Sequence, residues 1–410
     1  MNDDAQKANH NNIWRNKGLL IYLSGNLLST LGNSIAGLAI MWLLQETTGS
    51  TSRAGLTYLA SYLPTYLLLP FAGSILDHFS RKRVMQCAQL INAASTALLG
   101  YYLLNHGANS YLLAGYFFLS SATNAFYMPA SEAIIPNIVE KDLLTQANAM
   151  KQSFLSAGTL FGPTLSALML AKTNYMYSYV FFLQAILYVC SCLSLIAVPA
   201  KEEYLSKQKV EKPYQLKNIV EALKYIKLHP VIIQLMFIFS FANFMGAAKN
   251  LLMPFYVSER LGGVGDFAAM ATAASATGLI VSILITFIKK IDRVGIVLIS
   301  SCLVMTSSQM FLGLSSYLPL SMFLFAIGLV GGMISGMCSS VIYQREVDDD
   351  MRGRVYSFRT MLSSALNPLG TVIAGFAGDV LPAWVVISLF GALASLITMS
   401  GYFKKSLRSS

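Results

Sequence analysis

Asp77 stands at the end of a long apolar run, and Arg81, Lys82 and Arg83 follow it within GSILDHFSRKRV. A carboxylate beside a basic cluster at the mouth of an apolar segment can make and break ion pairs. A second acid–base step, Asp292 with Arg293 in KKIDRVGIVL, stands 215 positions after the first. VEKDLLTQANA from Val139 and VDDDMRGRVYS from Val347 form another pair, 208 positions apart, and the second carries Arg352 and Arg354. Two markers at nearly one offset imply an internal duplication, an architecture that suits alternating-access carriers.

Groups for bond-making chemistry are sparse. The four histidines, His10, His78, His106 and His229, are scattered in termini and loops, which disfavours an enzyme. Cys87, Cys190, Cys192, Cys302 and Cys338 fall inside apolar runs without metal spacing, so they read as small core hydrophobes. No metal or cofactor is expected, and no nucleotide-binding motif is present that would support direct use of ATP. Glu132, beside Pro129 and Pro136, is the best-placed acid for proton exchange; its alternative is a structural pair with Lys151.

Binding chemistry has more candidates. Asn26, Ser29 and Asn33 recur at spacings of three and four and so share one helical face; Asn124 and Asn243 lie in other apolar runs. Polar groups in lipid are costly and should face a bundle interior. There they either line a cavity or act as helix–helix glue. Lys249 sits deep in an apolar run. It either snorkels to the outer interface or faces a cavity, where it would favour an anionic or carboxylate-bearing ligand.

The elements that must position these residues follow from composition. The chain is 55% hydrophobic and 12% charged, against about 25% charged for a soluble domain. Mean hydropathy is +0.56. Runs long enough to cross a bilayer as helices recur from Leu19–Leu44 to Ala383–Phe403. Lipid offers the backbone no partners, and strand-like alternation is missing, so the expected fold is an all-α membrane protein. It should have twelve transmembrane helices in two pseudo-symmetric six-helix bundles. The expected divisions are a tail (1–18), a first bundle (19–198), a charged linker (199–230), a second bundle (231–403) and a tail (404–410). In the linker, Leu216, Ile219, Val220, Leu223 and Ile226 have helical spacing, as in an amphipathic helix on the inner membrane surface or a solvated helical connector.

The net charge of +10 would suggest nucleic acid on a soluble protein. Here the bases punctuate the gaps between apolar runs, so they read as topology signals and contacts with anionic lipid, with no nucleic-acid partner. With the N-terminus inside, only Arg53, Lys172, Lys249 and Arg260 of the 29 Lys and Arg residues fall on the outer side. Both termini and the linker are then cytoplasmic. Met1 to Lys17 is too hydrophilic for a cleavable signal peptide.

GSILDHFSRKRV resembles the signature between helices two and three of the major facilitator superfamily, and Ile291–Gly295 its weaker second copy. MPASEAIIPNIVEKDLLTQANA, RGRVYS and NPLGTVIAG resemble the macrolide-efflux branch, which also contains siderophore exporters. The resemblance covers essentially the whole chain. It implies that helices one, four, seven and ten line a transport cavity. It also implies a cytoplasmic gate: Asp77 faces the positive N-terminus of helix eleven, Arg81 orients it, and Lys82, Arg352 and Arg354 add positive charge. Asp292 with Arg293 does the matching job against helix five. The alternative is that the bases only enforce orientation.

GTLFGPTLSA is similar to the helix-five antiporter motif, with Gly158, Gly162 and Pro163 in place and Ser166 and Ala167 in the last glycine positions. Two departures bear on coupling: Ser120 stands where the superfamily often has Arg, and Asn33 stands where many branch members have Asp. The expected function is a proton-gradient-driven exporter of a bulky amphiphile, acting by alternating access in the inner membrane. The expected partners are that small molecule, protons and lipids, and the expected state is a monomer. The alternatives are an uptake or facilitated-diffusion carrier and, from another class, a membrane receptor or enzyme.

Overall fold

The computed structural model describes residues 13–68, 79–140, 143–173, 176–199, 216–285 and 293–403. Among them there is helix and no strand. The long helices are α1 (Lys17–Thr48), α2 (Thr51–Leu59), α3 (Arg81–His106), α4 (Ser110–Ala133), α5 (Leu144–Lys172) and α6 (Tyr177–Ala197). After them come α7 (Leu216–Leu228), α8 (Pro230–Arg260), α9 (Val264–Ile285), α10 (Val294–Leu314), α11 (Leu318–Glu346), α12 (Asp349–Val380) and α13 (Ala383–Ser400).

Nine helices among the described residues are long and apolar enough to cross a membrane. Three expected spans are not among them, for visible reasons. The helix of α2 breaks at a turn over 60–62 before resuming at 63–68. In α4 the run SSATN dilutes the apolar residues, and α12 is interrupted by residues whose side chains lie outside those described. Large apolar side chains such as Leu98, Ile186, Leu193 and Leu396 are exposed, as a lipid-facing surface requires.

The chain divides into two compact units. The first comprises Met1–Thr47 and Ala60–Lys209, the second Thr48–Leu59 and Val210–Ser410. In the first, α3 packs on α4 and α6. Its core, at one end of the helices, gathers Leu19, Tyr22 and Leu23 of α1 with Met85, Ala130, Ile134 and Leu195. In the second, α10 packs on α11 and α13, and α8 on α12 and α13. The linker helix α7 joins this second core through Ile226, which packs with Ile232, Leu235 and Val347. Tyr225 of α7 stacks on His229 and donates its hydroxyl to Asp348 Oδ2 at 3.1 Å. One face of α7 is therefore held by protein.

Residues 48–59 come from the first half of the sequence yet belong to the second unit, and the packing of α2 on α12 shows why. A Cβ on Gly375 would stand 2.8 Å from the Thr51 carbonyl, and one on Gly55 would stand 3.2 Å from the Thr371 carbonyl. Glycines let the two backbones approach. Asp379 then closes the N-terminus of α2. Its Oδ1 accepts the Ser52 N–H at 3.2 Å, the Thr51 hydroxyl at 3.0 Å and the Ser50 hydroxyl at 3.1 Å. The Thr51 hydroxyl also donates to the Gly375 carbonyl at 2.7 Å. A carboxylate at a helix N-terminus satisfies orphan N–H groups and faces the positive end of the helix dipole.

Cys192, Cys302 and Cys338 are buried, as expected of core hydrophobes, whereas Cys87 and Cys190 are exposed on the apolar helices α3 and α6.

Candidate functional site

The first unit holds a cavity of about 130 Å³ whose wall combines apolar surface with hydrogen-bonding side chains. Its wall on α1 is the face bearing Asn26, Ser29 and Asn33, and α4 contributes Asn124 and Glu132. The face that helical spacing gives to Asn26, Ser29 and Asn33 thus meets Asn124 and Glu132 around one space. Residues that spacing does not single out complete it: Gln89 and Asn92 from α3 and Tyr188 from α6.

These groups largely satisfy one another. Gln89 Nε2 donates to the Ser29 and Ser191 hydroxyls at 3.0 and 3.1 Å. Asn33 Oδ1 accepts from Gln184 Nε2 at 3.2 Å and from the Tyr188 hydroxyl. Thr123 donates to Asn92 Oδ1 at 2.6 Å. Tyr22 donates to the Ser131 carbonyl at 2.8 Å, and Asn26 Nδ2 approaches the Tyr22 hydroxyl at 3.5 Å. Such a wall is neutral, fixed in shape and able to exchange hydrogen bonds with a guest. Only Glu132 and Lys151 bring charge to it. They pair at 2.6 Å, with the lysine side chain 7% and the carboxylate side chain 65% exposed. The partner that the sequence offered for Glu132 is the one it has here.

The helix-five motif acts through packing. Pro163 has no N–H to give the Thr159 carbonyl one turn earlier. The Ser34 hydroxyl of α1 donates to that carbonyl at 3.1 Å. A Cβ on Gly158 would stand 3.0 Å from Thr30, and one on Gly162 would collide with Ser34. The two glycines and the proline together let α1 lie against α5.

The basic cluster after Asp77 also has described partners. Arg81 donates to the Ala133 carbonyl at the end of α4, at 2.6 Å. Lys82 donates to the Ile196 and Val198 carbonyls at the end of α6, at 2.8 and 2.9 Å. Cations at helix C-termini satisfy orphan carbonyls and oppose the negative dipole end. Arg81 and Lys82 therefore bind helix ends within their own unit. Arg293 is exposed just before α10. Asp77 and Asp292 lie outside the described residues, as do the side chains of Arg352 and Arg354.

In the second unit, Asn243 and Lys249 are on α8, and Asn243 is exposed. Lys249 Nζ lies 5.4 Å from the centre of the Phe325 ring of α11. Asn250, which the sequence reading passed over, is exposed one helical turn after Gly246. Its signal was available, since 243, 246 and 250 share one face by their spacing.

Known proteins resemble this chain along nearly its whole length. Macrolide efflux protein A of Streptococcus pyogenes is 22% identical, covering 90% of this chain and 91% of its own. The Staphyloferrin A transporter of Staphylococcus aureus (strain NCTC 8325 / PS 47) is 24% identical, covering 93% and 95%. The crystal structure of a D-xylose-proton symporter superposes with a TM-score of 0.72 at 14% identity, covering 96% of this chain and 98% of that one, a likeness of fold. The Major Facilitator Superfamily model matches residues 22–371. With this family match and nine helices among the described residues long and apolar enough to cross a membrane, the chain is a multi-pass membrane transporter and belongs to the Major Facilitator Superfamily.

Proposed function

We propose that this transporter exports a bulky amphiphilic compound, an antibiotic, siderophore or peptide-like product, by alternating access driven by the proton gradient. The observation that carries the reading is the end-to-end likeness to an efflux protein, macrolide efflux protein A. The hydrogen-bonding wall of the first unit, whose charges are the paired Glu132 and Lys151, suits a guest recognised by shape and amide-type contacts. Proton exchange is assigned to Glu132, because Asn33 stands where many branch members have Asp and Ser120 stands where the superfamily often has an Arg linked to coupling. The protein is placed in the cytoplasmic membrane as a monomer, with both termini and the linker inside, on the distribution of Lys and Arg. The gate is assigned to Asp77, Arg81, Lys82, Asp292, Arg293, Arg352 and Arg354. Such a role makes the strain producing the protein more resistant to its substrates.

Everted membrane vesicles from a drug-sensitive bacterium producing the full chain test this. With an interior-acid gradient, radiolabelled erythromycin or the dye Hoechst 33342 should accumulate, and a protonophore should abolish the accumulation. Flux in the opposite sense would assign the protein to uptake. Flux no greater than in control vesicles, for these probes and a wider set of amphiphiles, refutes the exporter reading.

A further inference from the structure

Helix α8 is one of the most apolar in the chain, yet a polar stripe crosses its middle. Asn243 and Asn250 are exposed on it, and Lys249 stands between two buried apolar stretches. At 100° per residue, 243, 246, 249 and 250 fall within an arc of about 120°. Gly246 lies inside this arc, and a Cβ added there would meet nothing within 4 Å. At Asn243, Gly246 and Asn250 the stripe therefore borders open space, and Lys249 stands half-buried at its edge. Amides and an ammonium facing hydrocarbon would each cost several kcal/mol, so in a membrane such a face borders water or a guest.

Lys249 has no carboxylate partner among the described residues; its one described contact is the Phe325 ring. It lies eleven residues before Arg260, the end of α8, which is ~16 Å along the axis. A lysine stem reaches roughly 6 Å, so the charge cannot snorkel to that helix end. What remains is a half-buried cation next to an aromatic face, with Asn250 following it in the helix and Asn243 ~9 Å back along the axis. That set recognises a carboxylate attached to an apolar or aromatic body: Lys249 neutralises it, Asn250 donates to an oxygen, Phe325 packs against the body, and Asn243 meets a polar group further along that body.

We propose that Lys249, with Asn243, Asn250 and Phe325, is an anion subsite, and that the preferred substrates are amphiphiles bearing a carboxylate. The inference deepens the exporter reading and rests on it. Binding is measured on the purified full chain in neutral-lipid nanodiscs, with dansyl-11-aminoundecanoic acid and its methyl ester as probes. The two share one body and differ in the carboxylate alone. The wild-type protein should bind the acid about tenfold more tightly than the ester. Lys249→Met, which makes an apolar span more apolar and so should insert normally, should erase that ratio, and Lys249→Arg should restore it.

A wild-type protein that binds the ester as well as the acid overturns the subsite and leaves the exporter reading standing. So does a ratio that Lys249→Met changes by less than twofold. Loss of the acid's advantage when the nanodiscs contain phosphatidylglycerol would assign Lys249 to lipid and also overturn it. If neither probe binds and the vesicles transport no amphiphile, the exporter reading itself falls.

Discussion

Asp379→Ala should loosen one specific helix. Asp379 is exposed on α12, so its hydrogen bonds are worth less than buried ones. It nevertheless accepts three donors from the first residues of α2. Loss of an N-terminal cap costs about 0.5–2 kcal/mol, and loss of a negative charge at that helix end costs about 0.3–1 kcal/mol more. Taking about 1.5 kcal/mol, the local opening equilibrium of 51–59 should rise roughly tenfold. Helix α2 is nine residues long and ends where the chain passes from the second unit to the first. An isolated helix of that length is marginal, so α2 depends on Asp379 and on its glycine packing against α12. Hydrogen–deuterium exchange of the full chain in nanodiscs reads this directly. Amides in 51–59 should exchange about tenfold faster in Asp379→Ala, with α10 unchanged. Asp379→Asn keeps an acceptor but loses the charge, so it should fall between. Protection of 51–59 within twofold of wild type would show that glycine packing alone holds α2. A uniform rise across the second unit would show that Asp379 supports the whole fold.

Two further outcomes can be stated. Ser34→Ala leaves the Thr159 carbonyl without its donor and should cost about 1 kcal/mol in thermal unfolding of the detergent-solubilised protein; Gly162→Leu should cost much more, and equal losses would refute the close approach of α1 and α5. In proteoliposomes, Glu132→Gln should abolish accumulation against a gradient while downhill exchange continues; a mutant that still concentrates substrate would make the Glu132–Lys151 pair structural.

Spacing made part of this molecule legible. Asn26, Ser29 and Asn33 meet one cavity because the helical period fixes a face once a span is recognised. Gly158, Gly162 and Pro163 stood out through their likeness to a helix-five motif. Their partner did not appear, because nothing local in the sequence says that Ser34, 125 positions from Thr159, supplies the missing donor. The same holds for Asp379 and Ser50, which are 329 positions apart. Gln89, Gln184 and Tyr188 were invisible for another reason. A single amide or phenol in an apolar run carries no period, and only the packed helices show what it reaches. Arg81 and Lys82 read in sequence as charges at a boundary, and their geometry makes them ties on the ends of α4 and α6.

The two units also use their polar groups differently. In the first, amides, phenols and hydroxyls are spent largely on one another, so replacing any of them would strand a buried partner and cost stability as well as function. That wall is suited to setting the shape and neutrality of a guest. In the second, Asn243 and Asn250 are exposed beside the open space at Gly246, and Lys249 meets Phe325 with no carboxylate partner among the described residues. Free donors cost the empty protein little while water reaches them, and they act when a guest replaces that water. A duplicated fold can in this way divide its labour, with selectivity for size on the satisfied side and selectivity for charge on the unsatisfied one. It follows that substitutions along α1 should change expression and transport together, whereas those along the α8 stripe should change which molecules are carried and leave the amount of folded protein alone.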